Sequence, residues 1–227
     1  MAAMSIPAAP GTFRYQLGSF WKDFSASRGA LVGLIFIALI FLVALLAPWV
    51  APHDPALQDR SALLVPPVWH AEGSWRYILG TDAVGRDILS RLIYGARYSL
   101  SISAMVVLIS MCGGIFLGLL AGYFRGWVET VITRVMDVVL AFPSLLLALG
   151  LVAILSPGLT SAMIAIALVQ LPYFVRLTRA AVIGEKSREY VTASRLAGAG
   201  HMRLMFNTLL PNCMAPMLVQ ATLSSST

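Results

Sequence analysis

The stretch YSLSISAMVVLISMCGGIFLGLLAGYF, residues 98–124, contains no charged side chain. A bilayer core about 30 Å thick is crossed by about 20 helical residues. At about 1.5 Å of rise per residue, this stretch is long enough to cross the core as a single helix. It therefore predicts a transmembrane helix.

The composition of the whole chain points to the same class of protein. Of the 227 residues, 59% are hydrophobic and 11% are charged, and the mean hydropathy is +0.83. Disorder is excluded, because it needs low hydrophobicity and high charge, and a soluble enzyme is disfavoured for want of polar surface. The net charge is +6, and the Lys and Arg residues lie between the apolar runs and form no basic patch. This distribution argues against a nucleic-acid partner. Cys112 and Cys213 lack a C-x-x-C spacing, so we expect two small buried hydrophobes and no metal or redox site.

Further apolar runs flank this stretch on both sides. Residues 30–50 and 138–175 are also free of charge, and Ser156-Pro157-Gly158 interrupts the second run with turn chemistry. The runs predict an all-α, polytopic protein with about five spans. We place them at 30–50, 98–124, 133–155 and 159–180, with a fifth beginning at Leu204.

The distribution of Lys and Arg predicts the orientation. If the N-terminus is cytoplasmic, 11 Lys and Arg residues lie in inside segments, Arg14 and Lys22 among them, and 5 lie in the outside segment 52–97. The positive-inside rule then predicts a multi-pass protein of the cytoplasmic membrane with residues 1–28 in the cytoplasm.

Three glycines on the second span predict a packing surface. Gly114, Gly118 and Gly122 recur every four residues on one helix face, where small residues let two backbones approach closely. The alternative is that glycine is simply common in membrane helices.

Charged residues near the span ends carry two further expectations. Arg134 and Asp137 are three residues apart, which predicts a structural ion pair on one helix face. Arg176 and Arg179 end the fourth span, and we expect their side chains to reach the inner interface.

The segment between the fourth and fifth spans, residues 182–211, leaves the membrane without resembling a flexible linker. Small residues, Thr192, Ala193 and Ser194, lie in a helix-compatible stretch, and Gly198 offers a helix end or a tight turn. A second helical stretch is expected at 201–208. A short helix with small side chains suits insertion into a groove of another protein. The alternative is an ordinary cytoplasmic loop.

This segment resembles the cytoplasmic loop of binding-protein-dependent (type I) ABC importer permeases. The family pattern is E-A-A, three residues, G, nine residues, I, one residue, L-P. Here Thr192-Ala193-Ser194 takes the place of E-A-A, Gly198 that of the glycine and Leu210-Pro211 that of L-P, while Thr208 departs from the isoleucine. The preceding Glu189 is similar to the form found in the dipeptide and oligopeptide branch. The resemblance implies that this loop couples the permease to ATPase subunits.

A second stretch, before residue 98, is similar to a signature of the dipeptide, oligopeptide and nickel branch of that family. Its matching residues are Gly80, Asp82, Gly85, Arg86, Asp87, Arg91, Gly95 and Arg97. The resemblance implies three segments: 1–28 in the cytoplasm, 29–97 as an N-terminal module with an external loop, and 98–227 as an incomplete transport core. Family members have six spans, against about five expected here.

The resemblance also implies a function and a set of partners. The chain would be a permease subunit moving dipeptides or oligopeptides inward across a bacterial inner membrane, with nickel, haem and glutathione as alternative substrates. Its partners would be a second permease, two ATPase subunits, an extracytoplasmic substrate-binding protein and membrane lipid, without nucleic acid.

The chain itself carries no recognisable catalytic motif. No G-x-x-x-x-G-K-[ST] loop is present for ATP phosphates, and no H-E-x-x-H or G-x-S-x-G is found. We therefore expect no catalytic residue, metal or cofactor. The alternatives are a secondary transporter or channel, disfavoured because residues 138–175 hold no charged side chain, and a non-transporting membrane scaffold.

Overall fold

A computed structural model describes residues 24–225, and every regular element in that range is helical. Most of the predicted cytoplasmic segment 1–28, with Arg14 and Lys22, lies outside the described residues. The helices are α1 Arg28–Leu45, α2 Ala47–Val50, α3 Ile88–Phe124, α4 Gly126–Ala141, α5 Ser144–Leu155, α6 Leu159–Lys186, α7 Glu189–Leu196, α8 His201–Arg203 and α9 Leu210–Ser224, with a π-helical turn Leu204–Leu209 before α9.

Three of these helices, α1, α3 and α6, are long and apolar enough to cross a membrane. The predicted span 133–155 is instead the helix pair α4 and α5, bent by 99°. The bend falls at Phe142-Pro143, where Phe142 is extended with φ −87° and ψ 142°. A residue before proline is pushed out of the helical region, which ends α4 there. Counting the pair as one span gives four in the described residues.

The fifth predicted span, from Leu204, is helical throughout the described residues. The π-helical turn Leu204–Leu209 runs directly into the 15 residues of α9. The π-helical turn before it has a local cause in Pro211. Proline lacks an N–H and its ring clashes with the carbonyl four residues earlier, so the turn widens and Leu210 N–H donates to the Met205 carbonyl.

The chain divides into two compact units, residues up to Leu100 and residues from Ser101. In the first unit, helix α1 exposes nearly all its apolar side chains and buries Ala44. Ser27 is the N-cap residue of α1, and its hydroxyl accepts the Ala30 N–H at 3.4 Å. An apolar helix that exposes its side chains is suited to lipid or to another membrane helix.

In the second unit, a buried cluster joins the end of α3 to the elements after α6. Leu119, Val182, Val191, Leu209 and Met217 are all at most 1% exposed and belong to it. Cys213 belongs to the cluster as expected, but Cys112 is exposed, so the prediction of two buried cysteines is wrong for Cys112. The face of α3 that packs inward carries Gly114, Gly118 and Gly122. Cys112 lies off that face, so its side chain is exposed.

Candidate functional site

The glycine face of α3 lies directly against α6. A Cβ atom added at Gly114 would lie 2.2 Å from Phe174 Cβ, and one added at Gly118 would lie 2.5 Å from Thr178 Cβ. At Gly122 the nearest atom would be Val182 Cβ at 2.8 Å. Real Cβ atoms do not approach that closely, so only glycine allows this separation of the two helices.

Two interhelical ion pairs hold α4 beside α6. Arg176 Nη2 lies 2.6 Å from Asp137 Oδ1, and Arg179 Nε lies 2.8 Å from Glu129 Oε1. The structure thus pairs Asp137 with the neighbouring helix, and the expected pair with Arg134 is wrong. Arg176 and Arg179 therefore form ion pairs with carboxylates of α4, whereas we expected their side chains to reach the inner membrane interface. The physical reason is that α6 continues to Lys186, so Arg176 and Arg179 lie several residues before its end, alongside α4.

Helix α7 carries the small residues of the predicted coupling loop and presents most of them outward. Thr192 and Ala193 are exposed and Ser194 is half-buried. Leu196, at 84% exposed, adds an apolar side chain to that surface. Val191, 1% exposed, is the residue of α7 that enters the buried cluster. One anchor and an otherwise exposed surface leave α7 available to a partner.

The end of α7 is fixed by Gly198. Its φ is +81°, its N–H donates to the Arg195 carbonyl at 3.0 Å, and the Ala199 N–H donates to the Ser194 carbonyl at 3.1 Å. These two bonds and the left-handed glycine form a Schellman motif, which satisfies the last helix carbonyls. Nothing lies within 4 Å of an added Cβ, so the backbone conformation and not space requires glycine here.

Leu210 and Pro211 begin α9 at the other end of the loop. Leu210 is half-buried and Pro211 exposed, while the adjacent Leu209 is 0% exposed. Proline at 211 cannot donate an N–H to the helical turn before it, and the π-helical turn accommodates this loss. The two residues thus fix where α9 starts.

Three residues that the sequence patterns did not single out tie the loop to α3. The Tyr123 hydroxyl lies 2.6 Å from His201 Nδ1, and the Lys186 ammonium donates to the Tyr123 carbonyl. The Lys186 Nζ also lies 4.9 Å from the centre of the Tyr123 ring. The sequence offers one weak signal for Tyr123 and Lys186, because Lys and Tyr are common at the ends of apolar runs.

A further hydrogen bond lies near the start of the loop 182–211. The Tyr190 hydroxyl donates to Glu185 Oε2 at 2.9 Å, and Glu185 also pairs with Arg188. Partial burial, followed by the bond to the Glu185 carboxylate, raises the pKa of Tyr190 above its ordinary value. Glu189, in the first turn of α7, is exposed.

In the first unit, the signature residues Gly80 and Gly85 allow two close backbone approaches. Both have positive φ, +81° and +79°, and an added Cβ would lie 2.3 Å from the Val65 carbonyl oxygen and 2.0 Å from that of Asp59. Other residue types are excluded by both conformation and space.

Asp82 organises the turn between these glycines and α3. It accepts N–H bonds from Val84 and Arg86, each at 3.0 Å, and the guanidinium groups of Arg86 and Arg91. The backbone bond from Arg86 is the main cause that holds the pKa of Asp82 well below its usual range.

Asp87 caps the start of α3. Its Oδ2 accepts the Ser90 N–H at 3.0 Å, and the Ser90 hydroxyl in turn accepts the His53 N–H at 3.0 Å. Asp87 is 2% exposed. Gly95 and Arg97 are exposed on α3. The first six signature residues therefore build the loop and its junction with α3.

Comparison with known proteins identifies related sequences. Residues 114–227 match the family described as binding-protein-dependent transport system inner membrane component, and residues 16–67 match the N-terminal TM domain of oligopeptide transport permease C. The chain is 57% identical to the di/tripeptide transport system permease protein of Pseudomonas aeruginosa, over 99% of this chain and 75% of that one.

Two dipeptide transport system permease proteins are also similar. That of Haemophilus influenzae is 52% identical over 100% of this chain and 76% of its own length. That of Escherichia coli strain K12 is 54% identical over 92% of this chain and 70% of its own length.

Proposed function

Because the chain belongs to the family of binding-protein-dependent transport system inner membrane components, we propose that it moves dipeptides and tripeptides inward across a bacterial cytoplasmic membrane. It is a permease subunit of an ATP-binding-cassette importer and not the ATPase, which is a separate subunit. The observation that carries the peptide substrate is the 57% identity, over 99% of this chain, to a permease named for di- and tripeptides.

The surface of α7 is the proposed contact with an ATPase subunit. Its small exposed residues, Thr192 and Ala193, and the 84% exposed Leu196 fit an apolar groove. The Schellman motif at Gly198 and the Val191 anchor make α7 a fixed projection, so a push on α7 reaches the buried cluster and through it α3 and α9. A closing motion of the ATPases would then shift the population between two arrangements of the spans.

The remaining partners follow from the proposed orientation. With the N-terminus inside, the loop 52–97 faces the extracytoplasmic substrate-binding protein. Its backbone is fixed by Gly80, Gly85 and the Asp82 turn, as suits a surface that must be presented in one shape. The exposed apolar face of α1 suits lipid or the second permease subunit.

Uptake by the assembled transporter tests the function. The chain would be expressed with its second permease, ATPase and binding protein and reconstituted in vesicles. We expect labelled dialanine to accumulate only with ATP at the ATPase side. Accumulation without ATP would support the secondary transporter instead, and uptake of Ni²⁺ without dipeptide would contradict the peptide substrate.

A matched pair of variants tests the coupling role of α7. Ala193→Glu places a charge on the exposed surface, whereas Ala193→Ser keeps a small neutral side chain. We expect Ala193→Glu to lower both ATPase co-purification and peptide uptake, and Ala193→Ser to leave both unchanged. Normal co-purification and uptake in Ala193→Glu would mean that α7 is only a linker.

A further inference from the structure

Three cationic side chains line one cavity of the second unit. Arg125 follows α3, Lys186 ends α6, and Arg195 lies in the last turn of α7. They enclose about 240 Å³ together with Gly122, Ile183 and Ser187. None of the described residues that line this space is acidic.

The nearby carboxylates are engaged elsewhere. Glu129 pairs with Arg179, and Glu185 pairs with Arg188 and accepts the Tyr190 hydroxyl. Within residues 24–225, none of the three cations takes part in an ion pair with Asp or Glu. Like charges that converge repel one another, more strongly where water is partly displaced. A bound anion would remove that repulsion.

The cavity lies at the edge of the apolar part of the chain. Arg125 is the first charged residue after the uncharged run 98–124, and the aromatic residues beside it, Phe124 and Trp127, are 50% and 83% exposed. Exposed aromatic rings at the end of a span are typical of the membrane–water interface. Lipid phosphates lie at this membrane–water interface.

We propose that Arg125, Lys186 and Arg195 bind the phosphate group of an anionic phospholipid headgroup. Basic pockets between transmembrane helices on the cytoplasmic side suit such headgroups, because guanidinium and ammonium groups bind phosphate with charge-assisted bonds. A headgroup here also contacts α7 through Arg195 and so helps to hold the coupling helix. The site does not require that the transported substrate be a peptide.

Lipid retention by the purified transporter, with its second permease and ATPase subunits, tests this site without any transport assay. The protein in neutral detergent would be exposed to phosphatidylglycerol, phosphatidylcholine or inorganic phosphate, and bound species counted by native mass spectrometry. We expect phosphatidylglycerol to be retained better than phosphatidylcholine by about tenfold or more, since each cation contributes about a factor of 5 and all three together contribute up to about a hundredfold. Equal retention of the two lipids by the unmodified protein would overturn the proposal.

Matched triple variants locate the site. Arg125→Gln, Lys186→Gln and Arg195→Gln together should lower phosphatidylglycerol retention about tenfold or more. The control, Arg28→Gln with Arg134→Gln and Arg203→Gln, removes the same charge at three exposed positions and should retain the lipid. Equal losses in both triple variants would reduce the effect to net charge and overturn the site.

Two further results would also overturn the proposal. Displacement of phosphatidylglycerol by an equal concentration of inorganic phosphate would assign the site to free phosphate. Full lipid retention in the first triple variant, with loss of ATPase co-purification, would assign the three cations to an acidic surface of that subunit. The second result would leave the importer function intact, so the two proposals fail separately.

Discussion

The hydroxyl of Tyr123, at the end of α3, lies 2.6 Å from Nδ1 of His201, the first residue of α8. The two residues are 78 positions apart in the sequence, with α4 to α7 between them. This contact, together with the hydrogen bond from the Lys186 ammonium to the Tyr123 carbonyl, connects the end of α3 to the loop 182–211.

Removing the Tyr123 hydroxyl should therefore weaken coupling more than folding. Tyr123→Phe loses one hydrogen bond and leaves His201 Nδ1 without its partner, a cost of about 1 kcal/mol. We expect substrate-stimulated ATPase activity to fall in the assembled transporter while membrane insertion is unchanged. Tyr98→Phe, at a tyrosine that is 61% exposed, is the control and should keep full stimulation. Equal activities in both variants would contradict a supporting role for Tyr123.

The glycine face predicts a second effect, on assembly. Gly118→Leu puts side-chain atoms where an added Cβ already lies 2.5 Å from Thr178, and overpacking costs about 1–3 kcal/mol. We expect less assembled transporter by size-exclusion chromatography, with Gly114→Leu behaving alike. Gly150→Leu, at a helical glycine with nothing within 4 Å, should assemble normally. Normal assembly of Gly118→Leu would show that α3 and α6 separate readily.

The turn after α7 predicts a difference between two glycines two residues apart. Gly198 has φ +81° and Gly200 has φ −69°, and neither has an atom within 4 Å of an added Cβ. Gly198→Ala should thus cost about 1–2 kcal/mol through the left-handed backbone alone, and Gly200→Ala almost nothing. Amide exchange over 189–199 should rise in the first variant and stay unchanged in the second. The opposite ranking would mean that the Schellman motif does not hold α7.

Charge at Asp82 should stabilise the loop before α3. A carboxyl whose pKa is lowered by folding adds stability above the ordinary Asp pKa of about 3.9, and that stability is lost as the pH falls below it. Asp82→Asn should remove it at neutral pH. We expect faster amide exchange over 62–87 in Asp82→Asn at pH 7, and no change in Glu72→Gln, where the side chain is exposed. Unchanged exchange in Asp82→Asn would contradict this account.

The orientation is tested by cysteine labelling in intact cells. Cys112 and Cys213 would first be replaced by alanine, and single cysteines introduced at Ser61 or Ser187, which are both exposed. An impermeant maleimide should label position 61 and not position 187, because the loop 52–97 is placed outside. The reverse labelling would overturn the topology and the assignment of partners to each side.

Hydrophobicity along the chain is enough to predict the helical membrane class and the location of most spans. Runs without charge at 30–50, 98–124 and 138–175 leave a helix as the structure that pairs every backbone group inside the bilayer. The end of α7 was also predictable, because Gly198 is the residue type that a left-handed helix end requires. Both are local properties, set by hydrophobicity and backbone sterics within a few residues.

Which residues contact one another depends on how the helices pack, and the sequence patterns did not predict it. Spacing along α4 suggested Arg134 for Asp137, yet Arg176 of α6 is its partner, because a neighbouring helix brings a guanidinium closer than the next turn does. Cys112 appeared buried from its apolar neighbours, but burial depends on the helix face that packs. The Tyr123–His201 bond and the cavity of Arg125, Lys186 and Arg195 join residues from several helices. Such contacts depend on interhelical distances, which the periodicity of one segment does not contain.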